Sequence, residues 1–201
     1  MKIFFIVMAA AVLLPIVEAD AAGGDIAAGK EKARICAGCH GANGISMSPG
    51  IPSLAGQRDQ FLQWQLVFFR SGRRPNLLMG PIIAQLSDAD IRNLGAYFAS
   101  LPPNTAPAGN ATNAAVRATG QKVVADHHCA NCHTASFRGE RAAASIADQR
   151  EDYLVKALTD YRSAARPSVG VAAMTEAASA LSDDEIAAIA KYISTFQPAE
   201  Q

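Results

Sequence analysis

Of 201 residues, 50 % are hydrophobic, 18 % charged and 6 % aromatic, enough apolar side chain to bury cores and too much for wholesale disorder. Eighteen basic and eighteen acidic residues cancel to a net charge of zero, and no run of Lys and Arg breaks the balance. That argues against nucleic acid as the main partner and gives no support to a polybasic membrane anchor. The length admits one large domain or two small ones, and four cysteines leave disulfides, a zinc site or another use open until their positions are read.

The chain opens with Lys2, an apolar stretch from Ile3 to Val17, and Val17-Glu18-Ala19. This pattern predicts a secretory signal over residues 1–19, cleaved after Ala19, with Ala22 as the other candidate site. As a membrane anchor the apolar run is short: a bilayer span needs about 20 residues, and Pro15 interrupts this one. The mature protein is therefore expected to be exported, soluble and periplasmic.

All four cysteines fall in two strings, Cys36-Ala37-Gly38-Cys39-His40 and Cys129-Ala130-Asn131-Cys132-His133. Cys-x-x-Cys-His is the attachment signature for c-type haem. Two thiols add across the porphyrin vinyl groups, and the following His reaches the iron from one face. A thioredoxin-like redox centre also uses Cys-x-x-Cys, but in a βαβ setting, whereas the flanks here are Ala-rich and helical. A zinc site or structural disulfides would leave the two histidines unexplained. The expected cofactors are two covalently bound c-type haems.

The second half repeats the first. Residues 55–62, Ala-Gly-Gln-Arg-Asp-Gln-Phe-Leu, read against 147–154, Ala-Asp-Gln-Arg-Glu-Asp-Tyr-Leu. Further on, Leu86-Ser87-Asp88 and Tyr97 read against Leu181-Ser182-Asp183 and Tyr192. The predicted organisation is a domain over 20–100, a linker over 101–112 with three prolines, and a second domain over 113–201. Each domain is expected to be all-α. Helices are predicted over Ile26–Ala37, Gln60–Arg70 and Asp88–Ser100, then Val116–Ala130, Asp152–Arg162 and Asp183–Phe196. Ser87 and Ser182, each before an acidic first turn, are the predicted N-caps of the final helices. A unit of about 80 to 90 residues is small for an independent core, and a covalently held haem would supply an apolar centre.

The other axial position decides between electron transfer and chemistry at an open iron. The first half contains a single histidine, His40. In the second, His127 and His128 precede Cys129 on the proximal side, where they are expected at the surface or the haem edge. Methionine remains. The second unit offers Met174 and the first Met47 or Met79, and both Met79 and Met174 stand seven residues before a Leu-Ser-Asp. The repeat selects Met79, giving His40/Met79 and His133/Met174 as the iron ligands. Arg70, Arg73, Arg74, Arg162 and Arg166 are read as ordinary solvated side chains before partner or propionate contacts are considered.

The chain resembles a dihaem class I cytochrome c of the cytochrome c4 family, in which two tandem c-type domains are joined by a linker. Besides the haem strings, Pro52-Ser53-Leu54-Ala55-Gly56-Gln57 is similar to the family's Pro-x-Leu-Ala-Gly-Gln segment. The resemblance implies that the Pro52 carbonyl accepts a hydrogen bond from His40. The second unit departs from the pattern, with Ala144 where that proline would stand, so a looser loop and a different haem environment are expected there. The resemblance further implies a periplasmic one-electron carrier with redox proteins as partners: a quinol-oxidising complex or dehydrogenase as donor and a terminal oxidase or reductase as acceptor. Any membrane association would come through such a partner. The alternatives are a cytochrome subunit of a larger dehydrogenase complex and a dihaem enzyme with an open iron, for which the sequence supplies no feature.

Overall fold

The computed structural model describes residues 23–105, 114–166 and 174–196. The predicted leader with its predicted cleavage site and most of the predicted linker lie outside them. Among the described residues all regular structure is helical, and no helix is long and apolar enough to cross a membrane.

The first half contains α1 (Ile26–Lys32), a 3-10 turn (Ala33–Ile35), α2 (Ala37–His40), α3 (Asp59–Arg70), α4 (Met79–Ile83) and α5 (Asp88–Ser100). The second half follows with α6 (Ala114–Asp126), α7 (Ala130–His133), α8 (Glu151–Arg162), α9 (Met174–Ser179) and α10 (Asp183–Ser194). The six long helices fall where the sequence pattern puts them. The two entry helices, however, end earlier than expected. The first tightens into the 3-10 turn, with Cys36 N–H donating to Ala33 O at 2.9 Å. The second stops before His128, whose φ of 53° is left-handed. Each haem string therefore forms its own one-turn helix, aimed independently of the helix before it.

Caps fix the helix starts. The Asp25 carboxylate accepts from the N–H groups of Ala27 and Ala28 at 2.8 and 3.1 Å. Ser87 with Asp90, and Ser182 with Glu185, form reciprocal capping boxes, satisfying main-chain donors that a helix start leaves unpaired.

Two apolar cores result, one per repeat. Leu62, Ile83, Leu86, Ile91, Leu94 and Phe98 lie in the first; Leu154, Ala178, Leu181, Ile186, Ile189 and Ile193 occupy the matching positions of the second. In each unit the entry helix crosses the final helix at a glycine. A Cβ on Gly29 would lie 2.1 Å from Asn93 O, and one on Gly120 would lie 2.4 Å from Tyr192 Cβ. These crossings admit no side chain, and they hold the short entry helix, with the haem string behind it, against the core.

Candidate haem sites

Within each string the cysteines and histidine are three and four residues apart, the spacing that gathers side chains on one side of a helical turn. The turn is closed: His40 N–H donates to Cys36 O at 2.9 Å and His133 N–H to Cys129 O at 3.1 Å. No disulfide joins any of the four cysteines; Cys36 and Cys129 are half-buried against the two cores, and Cys39 and Cys132 are exposed. Burial, reinforced by Cys39, pushes the Cys36 thiol up to about 11. Burial likewise raises Cys129, against an opposing main-chain hydrogen bond. A thioredoxin-like centre requires the reverse, a thiol depressed toward the thiolate. Among the described residues no three His, Cys, Asp or Glu side chains converge on a common point, so the four cysteines do not build one zinc site.

His40 and His133 are 7 % and 8 % exposed. Nδ1 of His40 lies 2.8 Å from Pro52 O, and Nδ1 of His133 lies 2.8 Å from Ala144 O. A carbonyl can only accept, so each Nδ1 carries the proton and each Nε2 presents its lone pair. Burial lowers both imidazole pKa values, against the opposing pull of the carbonyls, which keeps the rings neutral. A neutral imidazole oriented through its other nitrogen is the state a metal ligand requires. The Pro52 to Ala144 exchange leaves the bond length unchanged because the acceptor is main chain and the side chain takes no part.

Met79 begins α4 and packs against the first core. Its N–H and that of Leu78 donate to Asn76 Oδ1 at 2.8 and 3.0 Å, so one side chain pins the approach to the methionine. Met174 begins α9, and the segment before it lies outside the described residues. Met47 is 84 % exposed. His127 is half-buried, 3.3 Å from Glu185 on the first turn of α10, and His128 is exposed.

The reading of Arg74 and Arg166 as solvated side chains is corrected. Arg166 is 5 % exposed and Arg74 half-buried, in a seam between the two cores. Arg74 donates to Gln65 Oε1 at 2.7 Å and to the Tyr153 hydroxyl at 3.3 Å; Arg166 donates to the same two oxygens at 2.8 and 3.2 Å. Each guanidinium also covers a ring, Phe69 at 4.4 Å and Tyr161 at 4.5 Å. Burial works to raise the Tyr153 phenol, but the Arg166 and Arg74 charges outweigh it and bring it down to about 8. Arg70 and Arg162 meet the earlier reading only partly, since they bridge to Leu86 O and Asp88, and to Leu181 O and Asp183. This seam exists only once the two halves meet, and no local pattern announces it.

The donor sets fit a covalently held haem in each half: two cysteines outside any disulfide and a neutral, carbonyl-oriented imidazole on one turn, backed by a small apolar core. These are the features of tandem c-type cytochrome domains. The sequence profile of the cytochrome c family matches residues 26–102 and again 117–197. A cytochrome c4 from Pseudomonas aeruginosa is 36 % identical over 86 % of this chain and 89 % of its own length. The crystal structure of reduced recombinant cytochrome c4 from Pseudomonas stutzeri superposes with a TM-score of 0.79 at 29 % identity, covering 87 % of this chain and all of that one. A thiosulfate dehydrogenase electron acceptor from Stutzerimonas stutzeri is 34 % identical over 80 % of this chain and 78 % of its own length. The chain belongs to the cytochrome c family, as a member of its dihaem cytochrome c4 group. It is an electron-transfer protein with two covalently bound c-type haems.

Proposed function

We propose that the chain is an exported, periplasmic one-electron carrier that catalyses no reaction of its own. The observation that carries this reading is the paired placement of His40 and His133, each buried and each donating Nδ1–H to a main-chain carbonyl at 2.8 Å. In this reading Cys36 and Cys39 would hold one haem and Cys129 and Cys132 the other, with His40 and Met79, and His133 and Met174, as the iron ligands. When bound, each haem supplies one reversible one-electron couple. The chain's part would be to supply both protein ligands of each iron, leaving it no open position, and to bury and orient the imidazoles. Arg74 and Arg166, bonded to neutral oxygens, place positive charge in the seam that can balance haem carboxylates. Residues 1–19 are the cleaved leader, and 20–100 and 113–201 the domains joined by 101–112.

The partners are redox proteins, a quinol-oxidising complex or dehydrogenase on one side and a terminal oxidase or reductase on the other. The relative described as an electron acceptor for thiosulfate dehydrogenase favours a dehydrogenase as one donor. A dedicated dehydrogenase subunit would co-purify with a flavoprotein or quinoprotein at fixed stoichiometry; a free carrier would not.

A redox titration tests the carrier reading. Two one-electron components are expected, with different midpoints, because the ligand loops differ: Asn76, three residues before Met79, accepts its main-chain N–H, while Val171 stands three residues before Met174. A single component with a two-electron slope would contradict it.

A further inference from the structure

The peptide joining Pro52 to Ser53 carries two hydrogen bonds of different origin. Its carbonyl accepts from His40 Nδ1, and its N–H donates at 2.9 Å to Oε1 of Gln149, a residue of the other half. The peptide joining Ala144 to Ser145 repeats the arrangement. Its carbonyl accepts from His133 Nδ1, and its N–H donates at 2.6 Å to Oε1 of Gln57. Each glutamine completes a clasp by donating Nε2–H to the serine carbonyl opposite, at 2.9 Å in both cases. Each Oε1 also accepts the main-chain N–H of the following arginine, Arg58 at 2.9 Å and Arg150 at 3.0 Å, which fixes the orientation of the amide. Gln57, Gln149, Ser53 and Ser145 are all buried, so water does not compete for these groups.

We propose that Gln57 and Gln149 are crossed positioning residues: each strengthens the histidine–carbonyl hydrogen bond of the domain to which it does not belong, and thereby sets that domain's reduction potential. The proposal rests on His40 and His133 being iron ligands. Within one peptide group, donation from the N–H moves electron density onto the carbonyl oxygen and makes it a better acceptor, as in any polarised hydrogen-bond chain. A better acceptor raises the basicity of the imidazole it orients, and a more basic ligand favours ferric iron. The intact clasp therefore holds each potential down, and docking of the two domains is a condition of both values.

Gln57→Met and Gln149→Met remove the clasp bonds with little change of shape. Two quantities are read on the purified dihaem protein: the Nδ1 proton resonance of each histidine in the reduced, diamagnetic state, assigned through main-chain connectivities, and the two-component redox titration. Gln149→Met should move the His40 proton upfield, leave that of His133 in place, and raise one redox component. Gln57→Met should do the converse and raise the other component. Movement of the histidine in the substituted residue's own domain, movement of both histidines in either variant, the same component rising in both, or no movement overturns the proposal. If Gln149→Met does not accumulate, Gln149→Glu keeps the acceptor oxygen and loses the donor. The His40 proton should then stay in place or move downfield, and an upfield move overturns the proposal. Failure of the ligand reading is distinguishable, because it shows in the unsubstituted protein as histidine ring-carbon protons lacking the upfield displacement that a haem ring current imposes on an axial ligand.

Discussion

Replacing Cys36 and Cys39 together by serine should yield a denatured chain carrying one haem mass where the native chain carries two. The same loss is expected for Cys129 and Cys132, and the native haems should survive acidic organic solvent because thioether bonds hold them. The structural cost should exceed the loss of two thiols. The first core is a small cluster, with Cys36 and Met79 packed on its margin. A unit of roughly 80 residues buries a smaller share of its surface than a larger domain does, so the loss of an apolar centre weighs heavily on it. The haem-free half should therefore lose its protection against proteolysis while the other half, with its own core, keeps its haem. Retention of two haems in the Cys36→Ser, Cys39→Ser chain would refute the attachment assignment.

Met79→Ala and Met174→Ala should each remove about half of the weak far-red absorption that thioether-ligated ferric haem gives, and together all of it. Each single variant should also leave one iron able to take an external ligand and should lower that haem's potential, since thioether ligation raises it. Met47→Ala should change neither quantity, because Met47 projects from the surface while Met79 packs on the core. An unchanged far-red band in Met79→Ala would remove Met79 from the ligand set.

The two Cys-x-x-Cys-His strings name their own chemistry, since no other use of the cysteines accounts for both histidines. The repeat, with Leu86-Ser87-Asp88 against Leu181-Ser182-Asp183, was equally legible because capping boxes and core leucines are local devices that survive duplication. The breaks at Ala33 and His128 were not, because a switch to 3-10 geometry or a single left-handed residue leaves apolar periodicity intact. Gln57 and Gln149 stood out in the repeat as matched residues, yet their exchange between halves depends on how two finished domains meet. For the same reason Arg74 and Arg166 read as solvated: a cation is assigned to water until a seam of Gln65 and Tyr153 is known to receive it. Asn76 gave no signal beyond its place three residues before Met79.

The claim that both irons are closed by the chain's own side chains, and hence that the protein carries electrons and performs no ligand chemistry, is tested most directly by adding carbon monoxide to the reduced native protein at neutral pH. The visible spectrum should remain that of two six-coordinate, low-spin haems. Rapid binding at either haem would reveal an open iron and contradict the account.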